Sequence, residues 1–411
     1  MAYQLDTDAQ RRLGEYFAEI GEVLGNKCRR ASFAMYAMGL LGASERKSAE
    51  PIAATASADP ATCEPVHHRL LRFLRDSPWN DRDVRRVAAR HALEAMTAEE
   101  PIRTWVIDDT GFPKQGKHSV GVQRQYTGTT GKISNCQIAV SLSVATRSTH
   151  TPIDFALYLP ESWTSDPARR AECKIPESIV FKTKHELALD LIVRALDDKV
   201  PGDILLCDSA YGSSDNFRET VRVLGFDYAM GVNATTTLVR LDSNERCRGA
   251  PKAARAIAEE LGPKAFRVIT WREGTRPGPR GKLRSRFAFC RVKVAHDDAH
   301  APTTREPLWL IMEWPEGEKA PTKFALTTLR RTMSKKQIVR IYKERYRTER
   351  VYEEMKGELG LDHFEGRSFP GWHHHVSVAL CCYAFVIAER MRHFPPSARR
   401  RSALGPHALA A

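Results

Sequence analysis

Apolar positions along the first hundred residues recur at three- and four-residue spacing, which predicts helices. Beyond them the period shortens to alternation or to short solid runs, which predicts strands. Leu13, Phe17, Ile20 and Leu24 place a helix over 8–24 and a second over 29–41, stopped at Gly42. A small, Pro-rich stretch follows to residue 66, and helices over 67–74 and 81–96 are separated by the turn DSPWN. From Thr104 the pattern gives strands at 105–109, 120–126 and 137–144, a three-stranded antiparallel meander with Gly121, Gly128 and Gly131 between its strands. A helix over 185–197, a short buried strand over 203–208, a helix over 215–224 and a strand over 228–232 come next. After Asn233 the sequence gives a helix over 251–261 and apolar strand-like runs at 266–271, 287–295, 308–314 and 324–329. The loop 272–286, rich in Gly, Pro and Arg, is expected to be mobile. A helix over 341–356 and a mostly apolar helix over 375–391, expected to pack on the sheet, complete the pattern, and no internal repeat is apparent.

Composition narrows the class. At 411 residues and 42% apolar content the chain can build two or three real cores. Lys and Arg outnumber Asp and Glu by 63 to 50, a net charge of +13, as expected of a protein that meets a polyanion. The excess is local: eleven Lys or Arg stand against four Glu between Lys323 and Lys356. Arg29, Arg30, Arg46, Lys47, Arg69, Arg72, Arg75, Arg85, Arg86 and Arg90 also make the helical N-terminal part basic enough for DNA, although ordinary helix surface reads the same way. Nine cysteines without a CxxC pair argue against a zinc ribbon or a disulfide framework and for a reducing cytosol. The first residues lack the apolar core of a signal peptide, and the apolar run 376–388 is too short for a bilayer, so no membrane partner is expected.

Candidate chemistry centres on IYKERYRTERVYEEMK, residues 341–356. On a continuous helix Tyr342, Arg345, Glu349 and Lys356 fall at roughly 0, 300, 340 and 320°, one narrow face. Such a stripe is either a solvated face with i,i+4 pairs or a carboxylate for a divalent ion flanked by phosphate-gripping cations. Two upstream strands end in acids. VIDDT carries Asp108 and Asp109, of which alternation puts one on each face, and LLCDSAYG delivers the single acid Asp208, where ligands gather in α/β sheets. Each of these acids alone also reads as a turn or cap residue.

The spacing of Tyr342, Arg345, Glu349 and Lys356 resembles the YREK signature of DDE transposases from bacterial insertion sequences. The resemblance extends over about residues 100–390, and GLLGASERKSAEPIA with SPWNDRDVRR is similar to one subgroup of them. It implies an α/β fold with a ribonuclease-H-like mixed sheet, a β-rich insertion and an N-terminal helical DNA-binding domain. The expected boundaries are a helical domain at 1–100, a catalytic core at 101–233 resumed at 331–395, a largely β insertion at 234–330 and a disordered tail at 396–411. It selects Asp109 over Asp108 and makes Asp109, Asp208 and Glu349 the catalytic carboxylates on two Mg²⁺ ions, with Mn²⁺ able to substitute. Tyr342, Arg345 and Lys356 then hold DNA phosphates, and Glu353 is the fallback ligand. Trp271, Trp309 and Trp314 are candidates for base stacking, more often core. The implied partners are double-stranded DNA, as element ends and target, and a second copy of the chain on paired ends, in a nucleoid-associated, cytoplasmic setting. The implied reaction is end cleavage by metal-dependent hydrolysis followed by joining of 3′-hydroxyls to target DNA.

Two rivals stand beside this reading. A chain that keeps the fold but only binds DNA would share the composition; intact acids argue against it. The stretch Gly111 to His118 nearly spells a phosphate-binding GxxxxGK[ST] loop, but His118 replaces the hydroxyl residue, Pro113 stiffens the loop and no helix is expected after it. Lys114 and Lys117 are left as residues that face DNA or solvent. His67-His68 reads as surface rather than metal site.

Overall fold

The computed structural model describes residues 7–57, 59–272, 282–295 and 306–395. The expected disordered tail and residues 273–281 of the loop expected to be mobile lie outside them. The chain divides into two compact units. One comprises the residues up to Ile102, Asp108–Pro201 and those from Arg347 onward; the other comprises Arg103–Ile107 and Gly202–Tyr346.

The first unit opens with five helices: α1 (Thr7–Leu24), α2 (Lys27–Leu41), α3 (Ala49–Ala56), α4 (Cys63–Arg75) and α5 (Asp81–Thr97). The starts of α2 and α5 are written in the sequence, since the Asn26 and Asn80 side chains accept from the first free backbone N–H groups of these helices. Strands β1 (Thr104–Pro113), β2 (Gln123–Thr127), β3 (Lys132–Ala145) and β4 (His150–Tyr158) follow. The meander thus has four strands rather than three. β3 is long enough to pair β2 with its first half and β4 with its second, both antiparallel, and it also neighbours β1. β4 escapes the hydrophobic pattern because it contains Pro152, which sits opposite Ser143, where the register shifts and a ladder N–H is dispensable. Two short helices, α6 (Glu161–Thr164) and α7 (Pro167–Glu172), lead to α8 (Lys184–Asp197), which starts on a capping box of Thr183 and Glu186.

The second unit begins with the first half of β1, parallel to β5 (Ile204–Cys207). A one-turn helix α9 (Ser209–Gly212) and α10 (Asp215–Val223) precede β6 (Asp227–Val232), which is parallel to β5. A ribonuclease-H-like strand order is therefore present as β4-β3-β1 in the first unit and β1-β5-β6 in the second. Next come β7 (Thr237–Leu241), β8 (Cys247–Ala253), α11 (Ala254–Leu261), β9 (Arg267–Arg272), β10 (Leu283–Val294), β11 (Leu308–Trp314) and β12 (Lys323–Thr327). The expected β-rich stretch does not form a sheet of its own. β12 pairs antiparallel with β6, and the order continues β12-β11-β10-β7-β8, with β9 also on β10. β8 is exposed along almost its whole length, so no apolar pattern announces it, and residues 251–253 end this strand rather than start the helix. Val106, Leu206, Ala229, Phe287, Ile311 and Ala325 form the core of this unit with Ile338 and Val339 of α12 (Lys335–Lys343).

The helix expected over 341–356 is broken. α12 ends in a tightened turn, with Glu344 N–H donating to the Ile341 carbonyl three residues back, and α13 (Tyr346–Leu359) starts afresh. The single-wheel face drawn through Tyr342, Arg345, Glu349 and Lys356 therefore does not exist as such; only Glu349 and Lys356 share a helix. α14 (Phe369–His393) begins six residues before the expected start, because Ser368 caps it and Pro370 fits its first turn. It packs chiefly on α5, and on α2, α4 and β4, so its apolar faces meet helices more than sheet. No helix among the described residues is long and apolar enough to cross a membrane.

Candidate active site

In the second unit, the solid apolar run of β5 is buried at every position and delivers Asp208 to a partly exposed strand end. Asp208 Oδ1 accepts from Ala210 N–H at 2.9 Å and so caps α9. Two glycines let this turn sit on β6. A Cβ at Gly212 would lie 2.1 Å from the Gly231 carbonyl oxygen, and one at Gly231 would lie 2.9 Å from Ser209 N. Tyr342, partly buried against the core, neighbours Asp208: burial first, then the Glu313 and Asp208 carboxylates, push its hydroxyl pKa up, while the Arg345 guanidinium opposes them. Within this unit the charges of Asp208 and Arg345 thus both act on the Tyr342 hydroxyl, despite their separation in sequence.

Beside Tyr342 lies a pair that sequence reasoning missed. Lys343 Nζ donates to both carboxylate oxygens of Glu313 at 2.7 and 2.5 Å, both side chains being nearly buried. The rings of Trp271, Tyr342 and Phe287 lie 4.8, 5.6 and 5.7 Å from the same ammonium. Burial lowers the Lys343 pKa, and Glu313 works against that shift. The available signal was a lone acid inside the apolar strand LWLIMEW. Trp271 and Trp309 flank the core of this unit, in keeping with a packing role.

In the first unit, Asp108 is buried and Asp109 is partly exposed on β1. Asp109 Oδ2 accepts from Lys184 Nζ, the first residue of α8, at 2.7 Å, a second contact the sequence did not announce. Glu349 is exposed in the first turn of α13, where the helix dipole favours an acid. Lys356, two turns further on, donates to the Gly111 carbonyl at 2.7 Å and to Thr129 Oγ1 at 3.3 Å, and its burial lowers its pKa. This contact turns the α13 face that also carries Glu349 and Glu353 toward the β1 segment just beyond Asp109. Lys114, expected at the surface, instead donates to the Phe364 carbonyl at 2.5 Å, while Lys117 is exposed and no helix follows it. Of the N-terminal bases, Arg85 and Lys47 are buried, the first beside Asp81 and Asp154 and the second donating to the carbonyls of Leu40 and Gly42 where α2 ends. Lys27, Arg29, Arg69 and Arg72 line one open groove.

The three candidate acids are therefore divided, Asp109 and Glu349 in one unit and Asp208 in the other. Among the described residues no three His, Cys, Asp or Glu side chains are grouped closely enough to hold a metal ion. The donor chemistry fits a hard divalent cation, since all three are carboxylates, and Asp109 already accepts a cationic group in the form of the Lys184 ammonium.

A sequence profile of the DDE superfamily endonucleases matches residues 19–278, well over half of the chain. The chain belongs to this family. A second profile, that of the transposase DDE domain, matches residues 182–385. A probable transposase for insertion sequence element IS701 from Microchaete diplosiphon is 26% identical over 198 residues, which are 48% of this chain and 47% of that protein. The chain thus matches about half the length of this curated relative. The crystal structure of the NurA nuclease from Sulfolobus solfataricus is similar at 10% identity and a TM-score of 0.21, covering 59% of this chain and 73% of that one, a likeness too slight to argue from. The mixed sheet with flanking helices is the α/β architecture of a DDE endonuclease.

Proposed function

We propose that this DDE endonuclease is the transposase of an insertion sequence: it binds the ends of its own element, cuts them and joins them to target DNA. The observation that carries the reading is family membership over residues 19–278, a stretch that holds both strand-end acids, Asp109 and Asp208. The action of both the Asp208 and the Arg345 charge on the Tyr342 hydroxyl supports it. Asp109, Asp208 and Glu349 are the residues that would hold two Mg²⁺ ions, or Mn²⁺ in their place. Bound divalent ions would supply a lowered pKa for the attacking oxygen and charge stabilisation for the leaving one.

In the first step a water oxygen bonds to the scissile phosphorus, the bond to the 3′ oxygen breaks, and that oxygen takes a proton to become a free 3′-hydroxyl. In the second, this hydroxyl attacks a target phosphate and releases a target 3′-hydroxyl, one phosphodiester replacing another. Arg345 orients the phosphate by its planar donor fork, and Tyr342 fixes the approach beside Asp208. Lys356 acts mainly by holding the β1 end through Gly111, and so keeps Asp109 in place. The groove of Lys27, Arg29, Arg69 and Arg72 takes backbone phosphates of the terminal repeat. The active assembly is a dimer on paired ends, at work in the nucleoid.

The test is incubation of the full chain with duplexes carrying the element's two ends, with Mg²⁺ or Mn²⁺. Nicking at the element boundary and joined products are expected. Tight end binding without any nicking would instead favour a protein that has kept the fold for binding alone.

A further inference from the structure

Lys184 is placed where a lysine is least expected. It is the first residue of α8, in the turn where the helix dipole favours acids, and its backbone is fixed by the Thr183–Glu186 capping box. Its ammonium nevertheless reaches across to Asp109 Oδ2 at 2.7 Å and lies 6.0 Å from the Tyr158 ring. Both members of the pair keep contact with water, with side-chain exposures of 30% and 21%, so the pair can open without unfolding anything. A compact ammonium on a flexible stem suits a cation that is to be exchanged, whereas a guanidinium would lock the carboxylate in a two-pronged grip.

We infer that Lys184 is the resident counter-ion of Asp109, occupying its carboxylate until a divalent ion displaces it, and so sets the metal concentration at which the site loads. The inference rests on the reading of Asp109 as a metal ligand. An ion pair that keeps contact with water is weak, so the barrier it raises is modest and reversible, as a threshold requires. The pair also keeps Asp109 neutralised while DNA approaches, which removes one carboxylate–phosphate repulsion before metal arrives.

The test measures Mn²⁺ binding to the full-length protein without DNA, by the electron paramagnetic resonance signal of free Mn²⁺, for wild type, Lys184→Met, Lys184→Arg and Asp109→Asn. Lys184→Met should bind Mn²⁺ about tenfold more tightly than wild type. Lys184→Arg, which keeps the charge, should bind no more tightly than wild type, and Asp109→Asn should weaken binding. Circular dichroism confirms that each variant is folded, and Lys184→Gln serves as a second neutral variant should the methionine disturb α8. If Asp109→Asn weakens binding but neither neutral variant gains affinity, the counter-ion role is overturned while Asp109 stands as a ligand. If Asp109→Asn binds Mn²⁺ as wild type does, the ligand assignment fails and takes this inference with it.

Discussion

Lys343 of α12 and Glu313 of β11 form a two-pronged ion pair, 2.7 and 2.5 Å, almost sealed from water, with the Tyr342 ring 5.6 Å from the ammonium. Burying two charges gains little over an apolar pair of the same size, but removing one partner strands the other. Glu313→Gln or Lys343→Met should therefore each destabilise the fold by about 3–5 kcal/mol, whereas the double change Glu313→Leu with Lys343→Met should recover most of that loss. Urea denaturation followed by tryptophan fluorescence reads this out. Single variants as stable as wild type would show that the pair is not buried as described.

The turn that carries Asp208 depends on two missing side chains. Gly212→Ala and Gly231→Ala each push a methyl group into backbone, at 2.1 Å and 2.9 Å, and should cost about 1–3 kcal/mol of stability. Because the strain falls on the residues around Asp208, DNA cleavage should drop about a hundredfold, more than a partial loss of folded protein explains. Cleavage rates compared with melting curves separate the two effects. A variant that cuts at the wild-type rate would dissociate the turn from the chemistry.

Acid should unfold the first unit early. His375 is buried between the Tyr36 hydroxyl at 2.9 Å and the carbonyls of Gly360 and Leu361 at 3.1 and 3.2 Å, and burial pulls its pKa down to about 4. His150, buried against Thr348, is pulled down to about 3, by burial first and Arg347 second. Above an ordinary value of about 6.5 both rings are neutral whether the chain is folded or not. As pH falls below that, the unfolded chain takes up protons that the folded one refuses, so stability is lost until the folded pKa is reached. At pH 5 each histidine should cost on the order of 2 kcal/mol relative to pH 7.5. Urea midpoints at the two pH values test this, and an unchanged or higher midpoint at pH 5 would contradict it.

What could be read from the sequence follows physical lines. β5 was legible because a solid apolar run ends at one acid, and α8 because apolar positions recur at helical spacing. β4 and β8 were not, since Pro152 at a register shift and an exposed edge strand leave no periodic trace. The tightened turn at Glu344 contains neither Gly nor Pro, so the wheel through residues 341–356 ran straight across a break that composition does not announce. Pairings between distant residues, such as Asp109 with Lys184, Glu313 with Lys343 and Lys356 with the Gly111 carbonyl, depend on the folded geometry and left no mark in spacing.

The most direct measurement is strand nicking of end-containing DNA in Mg²⁺ by Asp109→Ala, Asp208→Ala, Glu349→Ala and Glu353→Ala, alongside end binding by gel shift. The first three should lose cleavage by at least about a thousandfold while binding DNA within a few-fold of wild type, and Glu353→Ala should still cut. Cleavage by the Glu349 variant together with its loss in Glu353→Ala would move the third carboxylate one helical turn along α13. Cleavage retained by Asp109→Ala or Asp208→Ala would contradict the carboxylate mechanism itself.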